Sequence, residues 1–130
     1  MIVGIGLDVV DLARLAQVLE RHGEAFVRRV CREGEARVAS GPARAAHVGG
    51  LFAAKEAAMK ALGTGWAAGV GFRQIEVVRA ASGAPALRLH GEADLRAREL
   101  GVVRSHVTIS HDGKTAAAVV VLVRGSREDA

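Results

Sequence analysis

The chain has 130 residues, half of them apolar but with only one Trp and three Phe, so it is long enough to bury one compact core built from Val, Leu, Ile and Ala without disulfides or a structural metal. Eighteen Lys and Arg, fifteen of them Arg, against fourteen acids give a formal charge of +4 and point to an anionic partner, whether nucleic acid, a nucleotide cofactor or an acidic protein. The arginines are spread along the chain and not interleaved with aromatics, which argues against a base-stacking surface for single-stranded nucleic acid.

Met1 to Gly6 has no basic leader, and no apolar run reaches bilayer length, so a cytoplasmic protein with no membrane partner is expected. Ile2 to Val9 is β-branched and reads as a first strand that delivers Asp8 at its C-terminal end. Asp11 suits a helix N-cap. Leu12, Leu15, Val18 and Leu19 then recur at helical spacing up to Arg21, with Gly23 placed for a left-handed C-terminal cap and Arg14, Gln17 and Arg21 on the opposite face. Glu24 to Ser40 predicts one or two weaker helical segments. Within them the lone Cys31 cannot form an internal disulfide, and it reads as a small buried residue of a reducing compartment. Gly41-Pro42 precedes a long helix, about Ala43 to Leu62, that ends at Gly63-Thr64-Gly65. Ile75 to Arg79 and Ala86 to Leu89 read as a hairpin around Ser82-Gly83-Ala84-Pro85. Glu92 to Leu100 reads as a short helix stopped by Gly101, followed by strands at Val107 to Ser110 and Thr115 to Val123 joined through Asp112-Gly113. The expected architecture is α+β in a single domain over residues 1–124, a largely antiparallel sheet with one long helix packed on it, and a frayed tail over 125–130.

Two glycine signals fail on inspection. Val9 stands where a dinucleotide-binding loop starting at Gly4-x-Gly6 needs its third glycine, and Thr108 stands where a phosphate-binding loop ending in Gly113-Lys114-Thr115 needs its first. More informative is Leu51 to Gly63, where Phe52, Glu56 and Lys60 stack on one helical face while Lys55 and Met59 form a neighbouring stripe. An exposed Glu-to-Lys pair is one reading of Glu56 and Lys60. The density of Ala and large apolar residues around them favours partial burial and a need for partners. Asp8, at a strand end facing such a helix, can converge on Glu56, and two carboxylates with waters and substrate phosphates are a common way to hold Mg²⁺. A lysine beside that ion neutralises phosphate charge. Taken alone, Asp8 fits a turn or cap equally well. Ser110-His111-Asp112 closes the fourth strand, and because neighbouring strand residues point to opposite faces, Ser110 and His111 do not form an ordinary nucleophile and base. A structural polar pair, or phosphate binding by His111, remains open.

Taken in order, three segments resemble the holo-acyl-carrier-protein synthase family of phosphopantetheinyl transferases: Gly4-Ile5-Gly6-Leu7-Asp8-Val9-Val10-Asp11, Phe52 to Gly65 with its Lys55-Glu56-Ala57-Ala58-Met59-Lys60 centre, and His106-Val107-Thr108-Ile109-Ser110-His111-Asp112. The resemblance spans about residues 2 to 123 and implies the phosphopantetheinyl transferase fold. It further implies that Asp8 and Glu56 ligate Mg²⁺ with the diphosphate of coenzyme A, and that Lys60 sits against that diphosphate. By the same resemblance Gly63, Thr64 and Gly65 lie close to the cofactor, Ser110 and His111 give it polar contacts, and subunits form a homotrimer with sites in the clefts. The implied reaction moves 4′-phosphopantetheine from coenzyme A to a serine of an acidic acyl carrier protein of fatty acid or polyketide synthesis and releases adenosine 3′,5′-bisphosphate. Its catalytic residues are Asp8, Glu56 and Lys60. For carrier docking the natural surface is the Arg14 and Arg21 face of the first helix, since carriers are acidic. One departure is Leu51, preceded by Gly49-Gly50, where the family often has Arg; the segment from Arg28 to His47 also matches loosely. The rival reading is a basic nucleotide- or nucleic-acid-binding domain without catalysis, whose binding is indifferent to Asp8 and Glu56 and sensitive to salt.

Overall fold

Alternating burial along the first and last strands, and a central helix apolar on nearly every side, dictate one arrangement: a sheet whose inner face is covered by that helix. The computed structural model describes residues 1–37, 40–65 and 69–125. Strand β1 (Ile2–Asp11) leads into helix α1 (Leu12–Val30), then helix α2 (Gly41–Leu62), a short 3-10 turn (Phe72–Gln74), strands β2 (Ile75–Arg79) and β3 (Pro85–Leu89), helix α3 (Gly91–Glu99), and strands β4 (Val102–His111) and β5 (Thr115–Arg124). The strands form two antiparallel sheets, a three-stranded one in the order β1-β5-β4 and the separate hairpin β2-β3. The α+β class with antiparallel pairing is as expected; the division into two sheets was not anticipated. Of the frayed tail expected over 125–130, Gly125 is described, its amide donating to the Gly101 carbonyl oxygen at 3.3 Å, and the rest lies outside the described residues.

Local chemistry fixes the joints. Asp11 caps α1 as expected, its Oδ1 accepting from the amides of Ala13 at 3.0 Å and Arg14 at 3.2 Å. Asp112 closes the β4-β5 turn by accepting from the amides of Lys114 and Thr115, both at 2.8 Å. Gly63 ends α2 in the left-handed region, φ 74°.

Gly23 also takes a positive φ, 49°, but α1 does not stop there: it kinks and resumes to Val30, because Val27 and Val30 beyond the kink are drawn into the core. β4 is longer than the sequence predicts, beginning at Val102 rather than at Val107. Arg104, Ser105 and His106 have weak strand preference of their own, but each is paired with β5, to Val123, Leu122 and Val121.

The core gathers Leu12, Leu15 and Leu19 of α1, Leu51, Met59 and Leu62 of α2, and Ala116, Ala118, Val120 and Leu122 of β5. Full burial of each large aliphatic side chain is worth about 1.5–3 kcal/mol, so α2 is held to the sheet chiefly by apolar contact. Cys31 is buried as expected, and burial pushes its thiol up to about 11.

Candidate active site

Gly4 and Gly6 explain how β1 meets α2. A Cβ on Gly6 would fall 1.8 Å from the carbonyl oxygen of Ala57, and one on Gly4 2.1 Å from that of Ala61. The strand therefore lies directly on the helix backbone, a contact that only glycine permits. Side chains alternate along a strand, so Asp8, two residues beyond Gly6, faces the same helix and meets its Glu56 and Lys60.

Lys60 donates from Nζ to the Leu7 carbonyl oxygen at 2.8 Å and to Asp8 Oδ1 at 3.2 Å. Its side chain keeps 52% of its surface exposed, against 15% for Asp8, so the amine stands at the mouth of the cluster with the acid behind it. Asp8 Oδ2 is buried and has no hydrogen-bond partner among the described residues. Glu56 is half-buried, and its carboxyl is raised above its ordinary value, first by burial and then by the charge of Asp8, with Lys60 pulling the other way. A buried carboxylate oxygen without a donor, beside a second carboxyl that its charge perturbs, is a donor set with an unmet need for positive charge, and it fits a hard divalent cation. Among the described residues no group of three or more His, Cys, Asp or Glu side chains could hold a metal. Two protein carboxylates with the remaining positions left to water and ligand oxygens is the arrangement Mg²⁺ favours.

Gly63, Thr64 and Gly65 continue from the end of α2, one turn past Lys60, with the amides of Gly63 and Thr64 donating to the carbonyl oxygens of Lys60 at 3.1 Å and Met59 at 3.4 Å. Ser110 and His111 are elsewhere. They close β4, which β5 separates from β1: Ala118 of β5 pairs with Asp8 on one side and with Ile109 on the other. The cavities that His111 lines contain none of Asp8, Glu56 or Lys60. Arg14 and Arg21 are exposed with Gln17 on the outer face of α1, and neither pairs with an acid among the described residues.

Sequence reasoning placed Lys55 only in a stripe with Met59 and gave Glu35 no role. The side chains of both are almost fully buried, 0% and 2% exposed, and Lys55 Nζ donates to Glu35 Oε1 and to the Val30 carbonyl oxygen, each at 2.7 Å. Glu35 also accepts from the amides of Arg32 and, at 2.8 Å, Val77. One carboxylate thus joins the end of α1, the segment after it, α2 and β2, and it fixes the rotation of the helix at the residue next to Glu56. A lysine enclosed by Ala53, Ala54, Ala57 and Ala58 was the available sign of a buried charge in need of a carboxylate.

A family model described as the 4′-phosphopantetheinyl transferase superfamily matches residues 4–120. A holo-[acyl-carrier-protein] synthase of Solidesulfovibrio magneticus is 52% identical over 122 residues, covering 94% of this chain and 98% of the relative. The chain belongs to the holo-[acyl-carrier-protein] synthase family of phosphopantetheinyl transferases. Solved members of that family share its fold. The synthase of Neisseria meningitidis aligns with a TM-score of 0.85 at 31% identity, covering 95% of this chain and all (100%) of that one. The Bacillus anthracis synthase, crystallised in complex with CoA (3′,5′-ADP), aligns with a TM-score of 0.79 at 36% identity, over 96% of this chain and 99% of the other. The family and the α+β fold inferred from three short segments are therefore borne out over nearly the whole chain.

Proposed function

We propose that the protein transfers 4′-phosphopantetheine from coenzyme A to a serine of an apo acyl carrier protein in a Mg²⁺-dependent reaction that releases adenosine 3′,5′-bisphosphate. The observation that carries this reading is the Asp8, Glu56 and Lys60 cluster, with its orphaned buried oxygen and its raised second carboxyl. The coenzyme in the Bacillus anthracis complex supports the choice of donor.

Asp8 and Glu56 are the residues that would hold Mg²⁺, which when bound supplies positive charge to the diphosphate of coenzyme A. Lys60 is fixed by Leu7 and Asp8 so that its ammonium group meets the same diphosphate and offsets charge gathering on the leaving oxygen. In the transfer, the serine oxygen forms a bond to the phosphorus nearer the pantetheine, the bond from that phosphorus to the bridging oxygen breaks, and the leaving bisphosphate carries away the electron pair. Glu56 takes the serine proton through a water. Gly63, Thr64 and Gly65, which follow Lys60 at the end of α2, lie close to the bound coenzyme A.

Arg14 and Arg21 form the docking face for the acidic carrier and are free to pair with its carboxylates. Ile5, Leu7 and Val9 stand out on the uncovered face of β1, each more than half exposed, at 66%, 55% and 62%. An apolar face of this kind suits association with copies of the same chain, and a homotrimer would let Ser110 and His111 of one copy meet the Asp8 cluster of another. No described helix is long and apolar enough to cross a membrane, and a cytoplasmic enzyme of lipid metabolism is the setting we propose.

The test is to incubate the protein with coenzyme A, Mg²⁺ and an apo carrier, then weigh the carrier by mass spectrometry. The carrier should gain the mass of the phosphopantetheine arm, and Asp8→Ala or Glu56→Ala should abolish the gain while leaving circular dichroism unchanged. Unmodified carriers across fatty acid and polyketide types would overturn the reading.

A further inference from the structure

Ala93, Arg96 and Ala97 share one face of α3, and both alanines are buried, so the helix aims an arginine at the body of the domain, where a charge needs a partner. It finds one at the end of α2. Nε donates to the Leu62 carbonyl oxygen at 3.0 Å, and Nη2 lies 3.7 Å from where a side chain on Gly63 would begin. The ion pair of Arg96 with Glu99, 3.3 Å long, is weak because that carboxylate is 68% exposed. The other carbonyl oxygens of the last turn have uncharged neighbours: those of Lys60 and Met59 accept from the amides of Gly63 and Thr64, and that of Ala61 faces Gly4. Among the described residues, Arg96 is therefore the charged group that meets this helix end.

Lys60 stands in the last turn of α2, so a diphosphate held by its ammonium lies at the C-terminal end of the helix. Aligned peptide dipoles give such an end roughly half a negative charge, which favours a metal ion there and opposes an anion. One guanidinium on the terminal carbonyl more than offsets that half charge. We propose that Arg96 is a further determinant of coenzyme A affinity: seated on the end of α2, it reverses the sign of the field that the helix presents and so strengthens binding of the diphosphate beside Lys60. The inference rests on the transferase reading. It gives α3, which supplies none of Asp8, Glu56 or Lys60, a part in binding the donor.

Coenzyme A binding is measured by calorimetry with Mg²⁺ for the wild type, Arg96→Gln and Arg96→Lys, at low and high salt. Glutamine keeps an amide donor for the Leu62 oxygen and removes the charge; lysine keeps the charge. Kd should rise at least about fivefold in Arg96→Gln and return to within about twofold of the wild type in Arg96→Lys, and the gap should narrow as salt screens it. In carrier modification the loss should appear in KM for coenzyme A, with kcat little changed. A merely structural arginine would lower the urea midpoint and leave the salt dependence of Kd as it was. Equal Kd for Arg96→Gln and the wild type overturns the inference, and so does an equal loss in both variants, which would mean that the charge is immaterial. Either result leaves the transferase reading intact. If the wild type binds coenzyme A but modifies no carrier, the transferase reading falls and the Kd comparison alone decides the role of Arg96; if the wild type binds none, both fall.

Discussion

Replacing Glu35 by Gln tests whether the buried pair holds helix α2 in place. Lys55 has two acceptors, the Glu35 carboxylate and the Val30 carbonyl oxygen, and no exposed surface through which water could compensate a loss. Glutamine offers one oxygen where the carboxylate serves three donors, so the ammonium loses its counter-charge and at least one of the Arg32 and Val77 amides faces a donor. Removing one member of a buried ion pair costs about 3–5 kcal/mol, a large share of the roughly 5–15 kcal/mol that holds a domain folded. With an m-value of about 1.5 kcal/mol/M, a loss of about 3 kcal/mol moves the urea midpoint down by about 2 M. Glu35→Leu with Lys55→Met should recover part of this, because no charge is then stranded, although the two amides stay unpaired. A midpoint shift below about 0.5 M for Glu35→Gln with unchanged m would refute the reasoning, since it would mean that the pair contributes no more than a surface contact.

The carboxyl of Glu56 is raised from 4.5, so between 4.5 and its folded-state pKa the folded protein keeps a proton that the unfolded chain has lost, and metal-free stability should fall as pH rises through that window. Denaturation in EDTA at several pH values should show this decline for the wild type and its absence in Glu56→Gln. Saturating Mg²⁺ should raise the melting temperature of the wild type, by up to about 2.7 kcal/mol of stability at a hundredfold excess over Kd, and leave Asp8→Asn unmoved. Gly6→Ala should cost about 3 kcal/mol or more by urea titration, because its Cβ would meet the Ala57 carbonyl oxygen at 1.8 Å and neither backbone can step aside cheaply. Arg14→Glu should raise KM for the carrier at least about tenfold without altering KM for coenzyme A, and added salt should narrow the difference.

Much of this was legible in the chain because the strongest signals were local. Asp11 as a cap, Asp112-Gly113 as a turn and Gly63 as a helix stop each act through the nearest backbone amides, and all three stand where the sequence put them. The convergence of Asp8 on the Glu56 and Lys60 face could be anticipated from a strand facing a helix, although β1 runs three residues past Asp8, and the ordered resemblance of three segments made it specific. What escaped was long-range. Nothing near Gly23 announces that the helical segment expected after it follows directly from the first across a kink, with Val27 and Val30 buried, and the middle of β4 is a strand only because β5 lies beside it. Glu35 looks like one acid among many until Lys55, twenty residues away, is seen to have no exposed surface.

The bare contact of β1 with α2 carries one more consequence. Where Gly4 and Gly6 touch the helix, the spacing between the two elements is set by main chain against main chain, with no flexible group in the joint to absorb change. Aliphatic residues elsewhere in the interior can be exchanged for others of similar bulk and the interior will settle around them, but that joint behaves like a machined stop, and the reach from Asp8 to Lys60 is inherited from it. Variation in the rest of the core can then accumulate without retuning the distance between those two side chains.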